Sequence, residues 1–177
     1  MYVSVLGTDL TRVTTTAEFA LGQLAAVVTN SGTKVYKYVQ YDEGSAGVDG
    51  VAGEVTYYYT LDGYKNNKVT SDLSDSVEIG AGVLQAVMSD DEYGWIQIKG
   101  AATLTIALTA GADGDPLTPT GSADGTLDVS ASATDNLCAI ACDISDKEII
   151  CTFLNRIIKL KGAGRLALFF NKVRGII

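Results

Sequence analysis

The sequence predicts a mainly β protein: a compact β-sandwich or small β-barrel, with extended or short-helical terminal arms. Runs of five to eight residues alternate apolar with polar side chains, and turn residues interrupt them every 8–12 positions. Nineteen glycines and many Val and Thr residues accompany few helix-forming runs. With 47 % hydrophobic and 19 % charged residues, the 177-residue chain has the composition of one globular domain. A chain of this length buries about 70 % of its unfolded surface.

Three segments follow: an N-terminal arm and first strand over 1–30, a β-domain over 31–153, and a basic, apolar C-terminal arm over 154–177. YVSVL (2–6) has the composition of a short strand. In TTTAEFALGQLAAVVTN (14–30), Phe19, Leu21 and Leu24 suit either a short helix capped by Thr16 or an extended arm; the pattern does not decide. NSGTK (30–34) is a turn. VYKYVQY (35–41) is a strand alternating Val35, Lys37, Val39 and Tyr41 with Tyr36, Tyr38 and Gln40.

DEGSAGVDGVAG (42–53) is a glycine-rich loop and EVTYYYT (54–60) a strand of β-branched and aromatic residues. LDGYKNNK (61–68) is a turn and VTSDLSDS (69–76) is irregular. VEIGAGVLQAVM (77–88) is a strand pair split by glycines or a single bulged strand. After the SDDEYG turn come two strands, WIQIKG (95–100) and ATLTIAL (102–108). In the loop GADGDPLTPTG (111–121), Gly114 is expected at positive φ and Pro116 is expected to stop the ladder. ADG recurs at 123–125, which predicts two similar turns. TLDVSA, LCAIACDI and KEIICTFL complete the strands.

Charge is unevenly placed. Residues 1–146 hold 20 acidic and 6 basic side chains, a net of −14, while 147–177 carry +6, for −8 in all. The acidic body argues against nucleic-acid binding by the main domain. In the C-terminal arm, Leu154, Ile157 and Ile158, and then Leu166, Phe169, Phe170, Val173 and Ile177, recur at helical spacing around the Gly162-Ala163-Gly164 hinge. Basic residues are interspersed among them. Two short amphipathic segments or an extended arm added to a partner's sheet both fit.

Cys138, Cys142 and Cys151 are an odd set without CxxC spacing, which predicts free, buried thiols and a reducing compartment of synthesis. MYVSVLGTDL lacks a charged n-region and a long apolar core, so no secretory leader is expected. No apolar run approaches the length that spans a bilayer.

Histidine is absent, which removes Ser-His-Asp and Cys-His nucleophile systems, HExxH zinc sites and imidazole acid–base chemistry. GAGVLQ (80–85) lacks the third glycine of a dinucleotide fingerprint and suits a bulge better. Asp113 and Asp115 form an Asp-x-Asp fragment, but the remaining calcium-loop ligands are missing, so a turn with solvated carboxylates is preferred. Asp90, Asp91 and Glu92 are dense but sit in a turn without a cleft partner. The tyrosines of YKYVQY and YYYT are expected in a core or interface rather than on a sugar platform. No catalytic, cofactor or metal residue is expected, nor enzyme activity.

Taken in series, GTKVYKYVQY, GEVTYYYT, VTSDLSD, IGAGVLQAVMSDDEYGWIQIKGAATLTIAL, LTAGADGDPLTPTGSADGTLDVSA and LCAIACDI resemble decoration (cement) proteins of tailed-bacteriophage capsids. The resemblance covers residues 17–153, and its phrases are structural, not catalytic. It implies a compact, usually homotrimeric β-domain on the capsid exterior that clamps the major capsid protein and stabilises the expanded head. It also implies production in the host cytoplasm. The segment after Phe153 is longer than the family pattern. Expected capsid or trimer contacts are Phe19, Leu21, Trp95, Arg156, Lys159, Lys161, Arg165, Phe169, Phe170, Lys172 and Arg174. No membrane partner is expected. The alternative is a host-receptor or glycan-binding head or fibre module using the tyrosine-rich faces.

Overall fold

A computed structural model describes residues 7–30, 32–60 and 63–153. The strand expected at 2–6 and the arm expected at 154–177 lie outside the described residues. The chain is mainly β. The hairpin β1 (Leu24–Thr29) and β2 (Gly32–Tyr41) pairs antiparallel along six registered positions. β3 (Val55–Tyr59), a four-residue helix α1 (Gly63–Asn66), β4 (Lys68–Thr70), β5 (Ser76–Leu84) and β6 (Tyr93–Thr103) follow. The order β2-β4-β3-β5-β6, with β6 pairing back onto β2, closes a five-stranded barrel. β7 (Pro116–Thr118), β8 (Asp128–Val129), β9 (Ala139–Asp143) and β10 (Glu148–Thr152) extend it as β6-β10-β9-β7-β8.

Strand period explains how the barrel fills. In β2 the odd positions Val35, Val39 and Tyr41 point into the barrel, where they meet Val69 of β4, Leu84 of β5 and Ile96 and Ile98 of β6. The even positions Tyr36 and Tyr38 face outward but are covered by Ala25 of β1, Leu10 and Phe19, beside Trp95. The strand is therefore buried on both faces, and the N-terminal residues form part of the fold. Thr14 bridges to Tyr93 through two backbone hydrogen bonds of 3.1 and 2.8 Å. Residues 16–28 resolve into an extended path and β1; no helix forms at Thr16.

β6 belongs to both parts of the fold. Its residues 93–99 pair with β2 and its residues 99–103 pair with β10. The transition falls at Gly100, whose φ of +93° suits glycine, and a Cβ there would stand 3.1 Å from Thr33 O. Gln97, 3 % exposed, directs its Nε2 at the carbonyls of Lys99, Gly100 and Ala101 at 3.3, 3.2 and 2.9 Å. The second core, between barrel and outer sheet, gathers Val55, Tyr57, Leu104, Leu117, Leu127 and Ile149.

Some sequence expectations are met and others are corrected. The turn expected at 30–34 gives way to strand, since β2 already begins at Gly32. WIQIKG and ATLTIAL are not two strands: β6 runs through Gly100 and ends at Thr103. Beyond it the Thr105 amide bonds to Gly53 O at 3.0 Å, so the chain turns back to the barrel. VTSDLSDS opens with strand residues, because Val69 plugs the barrel and is fully buried. LDGYKNNK contains the α1 turn. VEIGAGVLQAVM supplies one bulged strand, with register shifts opposite Thr56, Tyr57 and Tyr59. Pro116 does not stop the ladder but begins β7, where the missing amide is least costly. Both ADG turns form, with Gly114 at φ +91° and Gly125 at φ +67°.

Candidate functional site

Of the expected contact residues, the described part of the chain contains Phe19, Leu21 and Trp95. Arg156, Lys159, Lys161, Arg165, Phe169, Phe170, Lys172 and Arg174 lie outside the described residues. Trp95 is only 2 % exposed in the single chain and faces inward under the N-terminal segment. Its indole is 5.4 Å from the Phe19 ring and 5.2 Å from Tyr38, and Phe19 meets Tyr38 edge-on at 5.2 Å. Packing of this kind adds about 1 kcal/mol per pair beyond area burial. Leu21 remains 36 % exposed. Tyr36, Tyr38, Tyr41, Tyr57 and Tyr58 are buried core residues.

A cavity of about 270 Å³ lies over the aromatic cluster, lined by Thr8, Asp9, Arg12, Glu18, Phe19 and Trp95 among others. Arg12 and Glu18 form an exposed ion pair at its edge. Thr11 holds the Asp9 carboxyl below its usual range through side-chain and backbone hydrogen bonds.

A second cavity, about 140 Å³, is built from four separate stretches of the chain and carries Glu43, Asp49, Glu54, Asp72 and Asp124 around Tyr41. Most of these carboxylates already serve the backbone. Glu54 accepts from the Val51 amide at 3.0 Å, Asp72 from Ser74 N at 2.9 Å, and Asp124 from Leu73 N at 2.9 Å. Glu43 is raised above the ordinary carboxylate range, chiefly by a hydrogen bond to Asp49. Burial raises the Tyr41 phenol. Among the described residues no group of three or more His, Cys, Asp or Glu is arranged to hold a metal ion. Sequence reasoning missed this cavity because its carboxylates come from positions 43 to 124 and share no local pattern.

The carboxylates singled out from the sequence do turn chemistry. Asp113 accepts from Ile144 N at 3.0 Å and Asp115 from Ala112 N at 2.8 Å. Asp91 accepts from Gln40 Nε2 at 2.9 Å, and Glu92 closes its turn on Ser89 N at 2.8 Å. Asp113 and Asp124, the aspartates of the two ADG turns, each bind a distant amide, so the repeat is one device used twice.

Two polar groups inside the fold have displaced titrations. Lys37 points its ammonium over the Tyr58 ring at 5.1 Å and donates to the Tyr58 hydroxyl. Burial lowers the lysine and pushes the phenol up to about 12. Neither residue lines either cavity. All three cysteines are free. Cys138 and Cys151 are buried and their thiols are pushed up by burial, Cys151 to about 12. Cys142 is exposed, correcting the expectation that all three are buried: it follows the buried Ala141 at the bulge where β9 shifts register against β10.

Exposed large apolar side chains are spread over the surface, at Leu21, Val48, Val51, Tyr64, Val77 and Val87 as well as on two strand surfaces. Val27 and Val28 are 39 and 83 % exposed on β1, the strand at one end of the sheet order. Ile140 and Ile150 are 44 and 36 % exposed on the outer sheet. No helix among the described residues is long and apolar enough to cross a membrane. Compared with protein-family profiles, with curated proteins and with solved structures, the chain finds no match in any of the three.

Proposed function

We propose that the chain is a virion structural protein, a homotrimeric decoration protein that binds the outside of a tailed-phage major capsid protein shell and stabilises the expanded head. The ordered series of phrases across residues 17–153 carries this reading. The physical character of the fold supports it. The barrel closes on itself and shares β6 with the outer sheet, and a lattice-binding protein needs contact area rather than a reaction pocket. Apolar side chains remain exposed on β1 and on the outer sheet. Binding only the expanded shell stabilises it by linkage, and several weak contacts per trimer gain by multivalency. The glycan-binding alternative loses support because five of the six tyrosines of YKYVQY and YYYT are buried, Tyr59 alone being half-buried.

The test is electron microscopy of expanded tailed-phage capsids with and without the purified full chain, with solution mass measured in parallel. Added density at quasi-threefold positions and a trimeric mass are expected. Bare capsids at saturating protein would refute the reading.

A further inference from the structure

The outer sheet carries an apolar row that its register makes continuous. Pro116 of β7 pairs with Ile140 of β9, Ile140 with Ile150 of β10, and Ile150 with Ala101 of β6. Directly paired residues share a face, so the four side chains form one stripe across four strands, about 14 Å wide at the usual strand spacing. The alternate positions Leu117, Ala139, Cys151 and Ala102 are buried in the core beneath. The outer face of a sheet between such neighbours is ordinarily polar. Here Ile140 and Ile150 stand 44 and 36 % exposed among the described residues.

We propose that residues 154–177 of the same chain cover this stripe in the free protein. The position of the chain end argues for it. The strand that carries Ile150 ends at Thr152, and the Phe153 amide is held by Ile98 O at 3.2 Å. The segment therefore starts four residues from Ile150, about 13 Å of extended chain. Its 24 residues reach several times the width of the stripe. Its composition also matches. Ile157, Ile158, Leu166, Phe169 and Phe170 supply apolar side chains, and its six basic residues have no acidic neighbour within the segment. Residues 101–153, which build the outer sheet, hold eight acidic side chains and one basic, a net of −7 against the segment's +6. Apolar contact places the segment and opposite charge draws it in. The proposal concerns the free chain and does not depend on whether the protein decorates a capsid.

Cys142 provides the assay. It is exposed two residues from Ile140, about 7 Å along the strand, at the bulge of β9 opposite Glu148 and Ile149, while Cys138 and Cys151 are buried. Maleimide labelling of the native full chain therefore reads Cys142, and Cys142→Ser should abolish the signal. Labelling is expected to be roughly tenfold slower than in the full-length variant Leu166→Asp/Phe169→Asp/Phe170→Asp, as a docked population of about nine-tenths gives. The slow rate should not change with protein concentration. Ile140→Glu, at a surface position the fold tolerates, should speed tryptic cleavage after Arg156 and Lys159 by a similar factor, with Trp95 emission unchanged. Equal labelling of wild type and tail variant overturns the proposal. Protection that grows with protein concentration also overturns it, in favour of a second copy on the stripe.

Discussion

Gln97 is the point at which the two halves of the fold depend on one side chain. Its amide has two hydrogens and faces three carbonyls, at 2.9, 3.2 and 3.3 Å, across the turn that carries β6 past Gly100. At most two of those contacts are fully made at once. Each contributes about 1 kcal/mol net, and a buried carbonyl left without its donor costs about 1–3 kcal/mol. Some of these oxygens retain other partners, so Gln97→Met, which keeps the volume and removes the donors, is expected to destabilise the protein by about 2–4 kcal/mol. Gln97→Glu should cost more, because it sets a carboxylate against carbonyl oxygens in a site 3 % exposed. Urea unfolding followed by the emission of Trp95, the only tryptophan, measures the change at constant m-value. A Met variant within about 0.5 kcal/mol of wild type, the range of an ordinary surface change, refutes the clamp.

Tyr57 is fully buried, and its hydroxyl accepts from Thr126 N at 3.0 Å while facing Thr126 O and Ala123 O. Tyr57→Phe should therefore cost about 1–3 kcal/mol in the same urea experiment. Asp113→Ala and Asp124→Ala each orphan one distant amide and should lose about 1 kcal/mol, with Asn, which keeps an acceptor, recovering most of it in the denaturation midpoint. Cys151, Cys138 and Tyr58 all titrate higher when folded than when unfolded. Their contribution is thus complete below the unfolded values of 9.0 for the thiols and 10.0 for the phenol, and is lost as pH rises towards about 12. Stability measured at stepped pH should be flat for these groups up to about pH 8 and then fall by about 1 kcal/mol per pH unit for each. Cys138→Ala/Cys151→Ala should delay the fall until the tyrosines take over; an unaltered onset would remove the thiols as its cause.

Where alternation was local, the sequence was readable. β3, β9 and β10 and the larger part of β2 lie within the segments read as strands, although β2 begins at Gly32, inside the expected turn, and the two ADG turns show in the text of the chain as they do in φ. Barrel closure was not readable, because it depends on pairings such as Tyr38 with Trp95 and Gln40 with Lys68, across tens of residues and without any local trace. The tyrosines of YKYVQY were expected in a core or interface and are buried, but the alternation gave no sign that Phe19 and Leu10 are the residues laid over Tyr36 and Tyr38. The break expected at Gly100 failed because the Gln97 amide holds the bulge within one strand. The acidic cavity was invisible, since nothing in sequence brings Glu43, Asp72 and Asp124 together.

The phrases that carry the resemblance are constrained by the fold itself. In YGWIQIKG, a Cβ on Gly94 would lie 2.8 Å from Met88 Sδ, Trp95 anchors the outer aromatic layer, Ile96 and Ile98 fill the barrel, and Gln97 and Gly100 shape the bulge. In GADGDPLTPTG, Asp113 ties the turn to Ile144 and Leu117 enters the second core. Altering such residues would destabilise the protein whatever it binds, so loss of capsid binding by those variants would say little about function. Discriminating substitutions belong instead on exposed side chains that the fold does not need: Val28 at 83 %, Ile140 at 44 % and Ile150 at 36 %. If the chain decorates a shell, charge at Val28 or on the Ile140–Ile150 row should separate capsid occupancy from urea stability. If neither position does so, the binding surface lies elsewhere, although the fold is the same.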